Sequence, residues 1–385
     1  MKELAIFGST GSIGTSALSV IENSEKIKLK TLVFGKNLKL AEKQIEKHKP
    51  EYVGCIDEKN AKLLFNKYSF IKSYSFGNEI KYLAKDIYHD IFLSAISGSD
   101  GLASSIYALE NTKRIALANK ETMVMAGEQF NRIANKNNVE VLPVDSEHNA
   151  IFQCIEGENP ENIKEIILTA SGGPFRETDK KQFKSITPEE ALDHPNWDMG
   201  KKITIDSASM ANKGLELIEA SYLFNKSEED IKIIIHPQSI IHSMVKFNDN
   251  SIKAQLSKPD MKLAIQYAFN YPKRENAVIE DLDFAESNYL SFQKVDYKKF
   301  PTVLMAREAL EKGDILPLIY NRANEESVYA FLESRIRFTD IFKIIEKYLK
   351  KYEGKNIMPL SVEEILEFDK KIKKEIKKGI ENGCF

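Results

Sequence analysis

The first 150 residues alternate between two hydrophobic patterns. Segments such as 15–22 and 38–47 carry apolar residues three and four positions apart, which is typical of helices. Short apolar runs, typical of buried strands, lie between such segments at 3–7, 28–34, 52–56, 91–96, 114–118 and 139–144. Strands that alternate with helices through short links favour a parallel sheet covered by helices on both faces. We therefore predict an α/β domain over residues 1–150.

The pattern changes after residue 150. Strand-like runs now follow one another with few helices between them, at 163–169, 202–205, 231–236, 243–247 and 251–256. Asp249 and Asn250 fit a hairpin turn between the last two runs. This succession predicts an α+β domain with a mixed sheet over residues 151–275. The polar stretch 183–202 has no regular pattern, and we expect a lid loop near 191–201.

The C-terminal part of the chain is predicted to be helical. Residues 276–299 have mixed charges and read as a linker. Apolar residues then recur at helical spacing over 302–312, 323–333, 339–348 and 361–379. Ser361 and Glu364 have the spacing of a capping box at the start of the last segment. We predict a helical domain over residues 300–385.

Composition and charge narrow the classes of function. The 385 residues include 55 Lys and Arg against 57 Asp and Glu, a net charge of −2, which gives no sign of nucleic-acid binding. No run is long and apolar enough for a transmembrane helix, and the first residues lack a signal-peptide pattern. Cys55, Cys154 and Cys384 are far apart and not in metal-binding spacing. We expect a cytoplasmic protein that binds neither nucleic acid nor membrane.

A glycine-rich turn follows the first predicted strand and precedes a helix. Gly8, Gly11 and Gly14 have the spacing G-x-x-G-x-x-G, which differs from the usual dinucleotide fingerprint G-x-G-x-x-G. The position compensates for that difference, because a glycine turn there lets a pyrophosphate approach the free N–H groups of a helix N-terminus. We favour nucleotide binding in a Rossmann-like domain over a simple turn.

The end of the second strand indicates which nicotinamide cofactor binds. NAD-binding folds carry an acidic residue about 20 residues beyond the glycines, where it holds the ribose 2′-hydroxyl. Here the sequence is Gly35, Lys36 and Asn37, with a cation and no carboxylate. A lysine attracts the additional phosphate of NADP, so we predict NADPH rather than NADH. Lys36 is also consistent with an ordinary exposed loop lysine.

Two acidic residues follow the predicted strand 139–144. If the strand continues, Asp145 and Glu147 lie on the same side, and such a pair favours a shared divalent cation such as Mg²⁺ or Mn²⁺. The alternative is a helix N-terminus capped by Asp145 or Ser146. A third ligand is expected from Glu216 or Glu219, three residues apart on one helical face, and periodicity does not choose between them.

Several polar groups of the middle region suit a phosphate ester. Ser171 is followed by two glycines in a turn after a predicted strand. Ser207, Asn212 and Lys213 add further donors, and His194 lies in the predicted lid. Each of these residues also has an ordinary structural explanation as a turn, a cap or a surface residue.

Taken together and in order, these motifs resemble the family of 1-deoxy-D-xylulose 5-phosphate reductoisomerases over essentially the whole chain. The resemblance rests on GSTGSIG at 8–14, GKN at 35–37, LANKE at 117–121, PVDSEH at 143–148, SGGPF at 171–175, HP at 194–195 with Trp197, DS at 206–207, NKGLE at 212–216 and HPQSIIH at 236–242. It implies an NADPH-binding domain, a catalytic domain and a C-terminal helical bundle, assembled as a homodimer.

The resemblance also assigns residues to roles. Those expected to face NADPH are Thr10, Gly11, Ser12, Ile13, Gly35, Lys36, Asn37, Asn119, Glu121 and Gly200. Those expected to hold the sugar phosphate are Lys120, Ser146, Glu147, Ser171, His194, Ser207, Asn212, Lys213 and Glu216. The implied metal ligands are Asp145, Glu147 and Glu216, and the implied catalytic residues are Lys120, Glu147 and His194. Trp197 is implied to belong to a lid that closes over the substrate.

The implied reaction has two stages in one pocket. A divalent cation assists a carbon–carbon rearrangement of 1-deoxy-D-xylulose 5-phosphate, and NADPH then reduces the resulting aldehyde to 2-C-methyl-D-erythritol 4-phosphate. Two other functions remain open from the sequence. One is an ordinary NADP-dependent dehydrogenase of a phosphorylated aldehyde, and the other is a non-catalytic NADPH-binding regulator.

Overall fold

The computed structural model describes residues 1–22, 24–193, 197, 199–285, 289–355, 357 and 361–385. These residues form two units whose segments alternate along the chain. The first unit comprises Met1–Thr122, Glu128–Asn149 and Asp260–Glu280. The second comprises Met123–Gly127, Ala150–Pro259 and Asp281–Phe385. The predicted division into segments 1–150, 151–275, 276–299 and 300–385 stays a prediction.

A parallel sheet lies at the centre of the first unit. Its strands are β1 (Lys2–Phe7), β2 (Ile27–Phe34), β3 (Tyr52–Cys55), β4 (Ser73–Phe76), β5 (His89–Ser94), β6 (Thr112–Leu117) and β7 (Glu140–Pro143). They are arranged in the order β4-β3-β2-β1-β5-β6-β7, and every pairing is parallel. The predicted α/β fold is confirmed. The strand order reverses between β1 and β5, and open α/β sheets bind ligands beside the strand ends at such a point.

The second unit contains a mixed sheet. Its strands are β8 (Ile163–Ala170), β9 (Ile231–Ile235), β10 (Ile241–Phe247), β11 (Ile252–Leu256) and β12 (Gln293–Lys294), in the order β11-β10-β8-β9-β12. β8 and β9 are parallel, and the other pairings are antiparallel. This confirms the mixed sheet predicted from the succession of strand-like runs.

In chain order the helices are α1 (Ser12–Glu22), α2 (Leu38–His48), α3 (Glu58–Lys67), α4 (Ile80–Asp86), α5 (Leu102–Ala108), α6 (Lys120–Lys136), α7 (Ser146–Ile155), α8 (Pro188–Leu192), α9 (Lys201–Ala208), α10 (Ala211–Phe224), α11 (Met261–Asn270), α12 (Thr302–Lys312), α13 (Leu316–Leu332), α14 (Phe338–Tyr352) and α15 (Val362–Glu381). The predicted helical segments correspond to α1, α2, α12, α13, α14 and α15, although α13 begins at Leu316 and not at residue 323. The predicted capping box of Ser361 and Glu364 is present at the start of α15. None of the helices in the described part of the chain has the length and apolar character needed to cross a bilayer.

Several elements differ from the sequence prediction, among them α9, β4 and the two-residue strand β12, which lies in the predicted linker. Residues 202–205 were expected to form a strand because Ile203, Thr204 and Ile205 are β-formers, but they belong to α9. Lys202 forms an ion pair with Asp206 one helical turn later, and this buried pair favours the helix over the local β propensity. The short edge strand β4 was missed, since its side chains are half-buried or exposed and carry little apolar pattern.

The predicted irregular stretch 183–202 contains more regular structure than expected. Thr187 and Glu190 form a capping box at the start of the short helix α8. The end of the stretch forms the first turn of α9, which begins at Lys201. His194, Pro195, Asn196 and Asp198 lie outside the described residues.

Candidate active site

The glycine-rich turn predicted to bind the nucleotide connects β1 to α1. Gly8 and Ser9 donate their backbone N–H groups to the carbonyl of Val33 in β2, which fixes the turn at the edge where the strands end. A Cβ added to Gly14 would lie 2.3 Å from the carbonyl oxygen of Gly8, so only glycine allows α1 to start this close to the turn. The first turn of α1 contains no acidic residue, and its N-terminus is therefore suited to an anion.

Most of the predicted pyrophosphate contacts surround this N-terminus. Gly11 and Ser12 are exposed, and Thr10 and Ile13 are half-buried. The end of β2 lies beside the same turn, because Val33 is paired with Phe7 of β1. Gly35, Lys36 and Asn37 follow directly, and all three are at least partly accessible. Asn37 also caps α2 by accepting the N–H of Leu40 at 3.2 Å.

Asn119 and Glu121 lie at the start of α6, after β6. The Asn119 amide donates to the carbonyls of Ile96 and Gly98 in the loop after β5, at 2.6 and 2.8 Å. Its Oδ1 accepts the N–H of Thr122 at 2.8 Å and caps the helix. Asn119 and Glu121 are both buried, and Asn119 connects the start of α6 to the loop after β5.

Asp145 caps a helix. The expectation that β7 continues through Asp145 and Glu147 was wrong, because β7 ends at Pro143 and α7 begins at Ser146. Oδ1 of Asp145 accepts the backbone N–H of Glu147 at 3.1 Å, so the capping alternative is correct for this oxygen. The N–H of Val144 still donates to the carbonyl of Leu117 in β6 at 2.8 Å, so the chain leaves the sheet just before Asp145.

The Asp145 carboxylate also contacts the side chains of Lys120 and His148. Its Oδ2 lies 2.8 Å from Nζ of Lys120, and its Oδ1 lies 3.0 Å from Nδ1 of His148. Burial of the carboxyl group favours its neutral form, but Lys120 and His148 outweigh burial and hold the pKa of Asp145 well below its ordinary value. The carboxylate is therefore charged at neutral pH. Ser146 donates to Glu147 at 2.6 Å beside it.

In the second unit, the Ser171 turn contacts the end of α9. Gly172 and Gly173 have φ values of +83° and +67°, which favour glycine. The N–H of Gly173 lies 3.2 Å from Oγ of Ser171. A Cβ added to Gly173 would lie 2.7 Å from the carbonyl oxygen of Ser207. The structure thus brings together two of the serines predicted to hold a phosphate.

The first turns of α10 carry a buried charged cluster. Lys213 forms an ion pair with Oε2 of Glu216, and Asn212 donates to Oε1 of the same carboxylate at 2.5 Å. Lys213 and Glu216 are only 3% and 1% exposed. Glu219 on the same helix is buried too, so burial does not distinguish it from Glu216 as a ligand.

Trp197 is half-buried, and its ring centroid lies 6.4 Å from that of His242. Gly200 is exposed and caps α9 in an extended conformation. His194, which is also in the predicted lid loop, lies outside the described residues.

Sequence reasoning gave no role to three buried polar residues near these groups. His148 contacts the Asp145 carboxylate, and its position three residues after Asp145 on a helix was the available signal. Asp206 is paired with Lys202, four residues before it on the same helix, and that spacing was the available signal. Asn324 donates to Asp206 from α13, and no local pattern indicates a contact between residues so far apart in the sequence.

Family models match most of the chain. The model described as 1-deoxy-D-xylulose 5-phosphate reductoisomerase matches residues 4–127. The model of the 1-deoxy-D-xylulose 5-phosphate reductoisomerase C-terminal domain matches residues 141–224. A further model, the DXP reductoisomerase C-terminal domain, matches residues 256–375. The matches therefore extend over both units.

Known proteins and structures agree with these models. The 1-deoxy-D-xylulose 5-phosphate reductoisomerase of Clostridium botulinum (strain Eklund 17B / Type B) is 45% identical over 98% of this chain and 99% of its own length. That of Bacillus pumilus (strain SAFR-032) is 44% identical over 96% and 97%. A crystal structure of DOX-P reductoisomerase in complex with NADPH, fosmidomycin and magnesium superimposes with a TM-score of 0.93 at 37% identity, covering 99% of this chain and 98% of the other. The enzyme from Zymomonas mobilis in complex with NADPH gives 0.91 at 37% identity, covering 99% of each chain. The chain belongs to the 1-deoxy-D-xylulose 5-phosphate reductoisomerase family.

Proposed function

We propose that this protein converts 1-deoxy-D-xylulose 5-phosphate to 2-C-methyl-D-erythritol 4-phosphate, with NADPH and a divalent cation as cofactors. The observation that carries the proposal is 45% identity to a reductoisomerase over 98% of the chain. The matched length spans the segments that carry the glycine turn, the carboxylates and the proposed phosphate-binding groups. The reaction belongs to isoprenoid biosynthesis by the non-mevalonate route.

NADPH binds the first unit at the carboxyl ends of β1 and β2. The N-terminus of α1 donates N–H groups to the pyrophosphate through Thr10, Gly11, Ser12 and Ile13. Gly35, Lys36 and Asn37 hold the adenosine phosphate end, where the exposed ammonium of Lys36 attracts the 2′-phosphate. The remaining residues assigned to the cofactor are Asn119, Glu121 and Gly200.

The divalent cation is held by Asp145, Glu147 and Glu216. The donor set fits a hard cation, because carboxylate oxygens are the ligands that Mg²⁺ and Mn²⁺ prefer. Asp145 is charged despite its burial, since Lys120 and His148 keep its pKa low. Asn212 and Lys213 hold both oxygens of Glu216 in place, and each oxygen retains a lone pair for a metal.

The sugar phosphate is held by hydroxyl, amide, ammonium and imidazole donors. In the second unit, Ser171 follows β8, Ser207 lies in α9, and Asn212 and Lys213 lie in the first turn of α10. His194 is assigned to the same group of ligands. In the first unit, Ser146 and Glu147 bind the sugar hydroxyls. Remote binding of the phosphate orients the reacting carbon atoms, which raises the rate of the chemical step.

The residues with a direct role in the chemistry are Lys120, Glu147 and His194. When bound, the cation polarises the ketone and acidifies the neighbouring hydroxyl, and NADPH supplies the hydride. Lys120 orients the substrate oxygens through its ammonium, which the Asp145 carboxylate fixes at 2.8 Å. Glu147 holds the hydroxyl side of the substrate, and His194 and Trp197 exclude water when the lid closes.

The quaternary and cellular setting follow from the family resemblance. The protein acts as a homodimer in the cytoplasm, where its free thiols Cys55, Cys154 and Cys384 remain reduced. Light scattering at assay concentration tests the dimer, because a monomeric mass in an active preparation contradicts it.

The metal assignment is tested by Glu216→Gln. This change keeps the shape and one of the two accepting oxygens but removes the charge, so turnover and Mn²⁺ affinity are expected to fall by more than about a hundredfold. NADPH binding, followed by fluorescence, is expected to remain unchanged and shows that the variant is folded. Glu229→Gln makes the same chemical change at an exposed position and is expected to leave all three measurements unchanged.

Normal Mn²⁺ affinity in Glu216→Gln contradicts the ligand assignment. Turnover of a phosphorylated aldehyde by the wild type without any divalent ion contradicts the proposed reaction and favours an ordinary dehydrogenase. NADPH binding without turnover of any substrate favours a regulator.

A further inference from the structure

Residues 206–214 comprise the end of α9, the turn that follows it and the first residues of α10, and we call them the 206–214 link. They carry three of the proposed phosphate ligands, namely Ser207, Asn212 and Lys213. The link contains a sharp turn, in which Met210 adopts a left-handed conformation with φ 60° and ψ 9°. α9 is only eight residues long. A turn between a short helix and a longer one depends on outside contacts for its position.

A buried polar network fixes the first residue of this link. The Asp206 side chain is 1% exposed. Its Oδ2 lies 2.8 Å from Nζ of Lys202 in the same helix, and its Oδ1 accepts the amide of Asn324 in α13 at 2.7 Å. A buried carboxylate with a cation on one oxygen and an amide donor on the other is strongly oriented, because removing a partner from a buried polar group is costly.

Two more side chains of the C-terminal helices contact the same link. The hydroxyl of Thr302, the first residue of α12, donates to the carbonyl of Ser209 at 2.7 Å. The hydroxyl of Tyr320 in α13 points to the carbonyl of Ala211 at 3.4 Å. Burial and then the negative charge of Asp206 raise the pKa of Tyr320, so this hydroxyl stays a donor at every ordinary pH.

α10 and α13 pack closely at Gly214, with no room for a larger residue there. A Cβ added to Gly214 would lie 2.4 Å from the hydroxyl oxygen of Tyr320. The Ser171 turn is a further neighbour of the link, and its Gly173 approaches the carbonyl of Ser207. The contacts made through α12 and α13 therefore act on the same segment that carries Ser207 and lies against the Ser171 turn.

We propose that Asp206 and Asn324 are positioning residues, through which the C-terminal helices hold the 206–214 link in the geometry that binds the substrate phosphate. This inference rests on the proposed function, since that function assigns Ser207, Asn212 and Lys213 to the phosphate. The C-terminal helices thus contribute to substrate affinity without contacting the substrate.

The test compares variants of Asn324 with a matched control. Asn324→Ala removes the 2.7 Å hydrogen bond to Asp206 and is expected to raise KM for 1-deoxy-D-xylulose 5-phosphate about tenfold, with kcat changed less than about twofold. The affinity for inorganic phosphate, measured by calorimetry, is expected to fall by the same factor. NADPH affinity is expected to stay unchanged.

The control is Ser327→Ala, three residues further along α13. Ser327 is fully buried and donates to the carbonyl of Ala323 in its own helix. Its loss is expected to lower the melting temperature and to leave KM unchanged. Equal effects of Asn324→Ala and Ser327→Ala on KM overturn the proposal, because they indicate a general loss of stability.

An exchange of partners provides the rescue. Asn324→Asp alone places a second carboxylate against Asp206 and is expected to raise KM more than Asn324→Ala does. Adding Asp206→Asn restores one carboxylate and one amide in the pair, and is expected to return KM to within about threefold of the wild-type value. A double variant no better than Asn324→Asp overturns the proposal.

Failure of the proposed function gives a separate result. A wild type that binds inorganic phosphate but does not turn over the substrate contradicts the function alone, and the calorimetric ratio between wild type and Asn324→Ala still decides the positioning role. An unchanged phosphate affinity in Asn324→Ala overturns that role whatever the activity of the wild type.

Discussion

At the scale of single residues, Asp145 combines a structural and a chemical task. One oxygen caps α7 through the N–H of Glu147 and also meets His148, while the other faces Lys120. Burial opposes the charge on this carboxyl, and its two partners more than compensate. A carboxylate held charged and immobile before any metal arrives is suited to bind a cation with little reorganisation.

Lys36 determines the choice of nicotinamide in this account. Lys36→Asp replaces the cation at the end of β2 by a carboxylate, which repels the 2′-phosphate of NADPH. KM for NADPH is expected to rise by about tenfold or more, while NADH, which has no such phosphate, is used as well as before or better. Steady-state kinetics with both cofactors measures the ratio.

Lys43→Asp is the matched control for Lys36, because it makes the same charge change at an exposed position further along α2. It is expected to leave the ratio of the two cofactors unchanged. An unchanged KM for NADPH in Lys36→Asp removes Lys36 from the cofactor site.

Which residue types occur at the site was predictable, but their local partners were only partly so. The preference for NADPH was predicted because the end of the second strand has Lys36 and no carboxylate. The double use of Asp145 did not follow, because an acidic residue before a helix looks the same whether it caps, binds metal or does both. The contact of Asn324 with Asp206 joins residues 118 positions apart, which no local pattern specifies.

At the scale of elements, the start of α1 depends on how closely two backbone segments approach. Gly14→Ala places a methyl group 2.3 Å from the carbonyl oxygen of Gly8, so α1 has to move away from the turn. The expected cost is about 1–3 kcal/mol of unfolding free energy, with weaker NADPH binding, measured by denaturant titration and fluorescence.

Gly11→Ala tests whether this effect comes from the close approach. The nearest atom to a Cβ at Gly11 is the same oxygen, but at 3.4 Å, and the residue is exposed. Its unfolding free energy is expected to stay within about 0.5 kcal/mol of the wild type. Equal destabilisation by both variants contradicts the explanation by steric contact.

Element types were predicted well where the hydrophobic period was long or the strand buried. The central strands of the first sheet and the C-terminal helices are such cases, since their apolar residues alone define them. α9 was mispredicted because three β-forming residues outweighed a helix that depends on the ion pair between Lys202 and Asp206. Tertiary burial of that pair was not visible in the sequence.

At the scale of the whole molecule, a buried charge network supports the C-terminal helices that hold the 206–214 link. Arg322 of α13 is 1% exposed and forms a two-pronged ion pair with Asp369 of α15. Glu325 and Glu326 contact the same guanidinium at 3.3 and 3.0 Å. Burial raises the pKa of Asp369, and Arg322 opposes that shift. The network joins α13 directly to α15, although α14 lies between them in the sequence.

Asp369→Ala removes the two-pronged partner of Arg322. The unfolding free energy is expected to fall by about 2–3 kcal/mol, less than for a fully isolated charge because Glu325 and Glu326 remain. Glu346→Ala removes an exposed ion pair with Lys350 and is expected to cost less than about 1 kcal/mol. Denaturant titration of both variants decides, and equal small losses contradict a supporting role for the buried network.

The central claim is the metal-dependent, NADPH-consuming conversion of 1-deoxy-D-xylulose 5-phosphate. The most direct measurement mixes the purified protein with this substrate, NADPH and Mg²⁺ or Mn²⁺, follows the loss of reduced nicotinamide absorbance with and without a chelator, and identifies the product by mass spectrometry and NMR. The account predicts oxidation that stops on chelation and resumes with added metal, with 2-C-methyl-D-erythritol 4-phosphate as the product. Oxidation that continues in the chelator, or a product with an unbranched carbon chain, would contradict it.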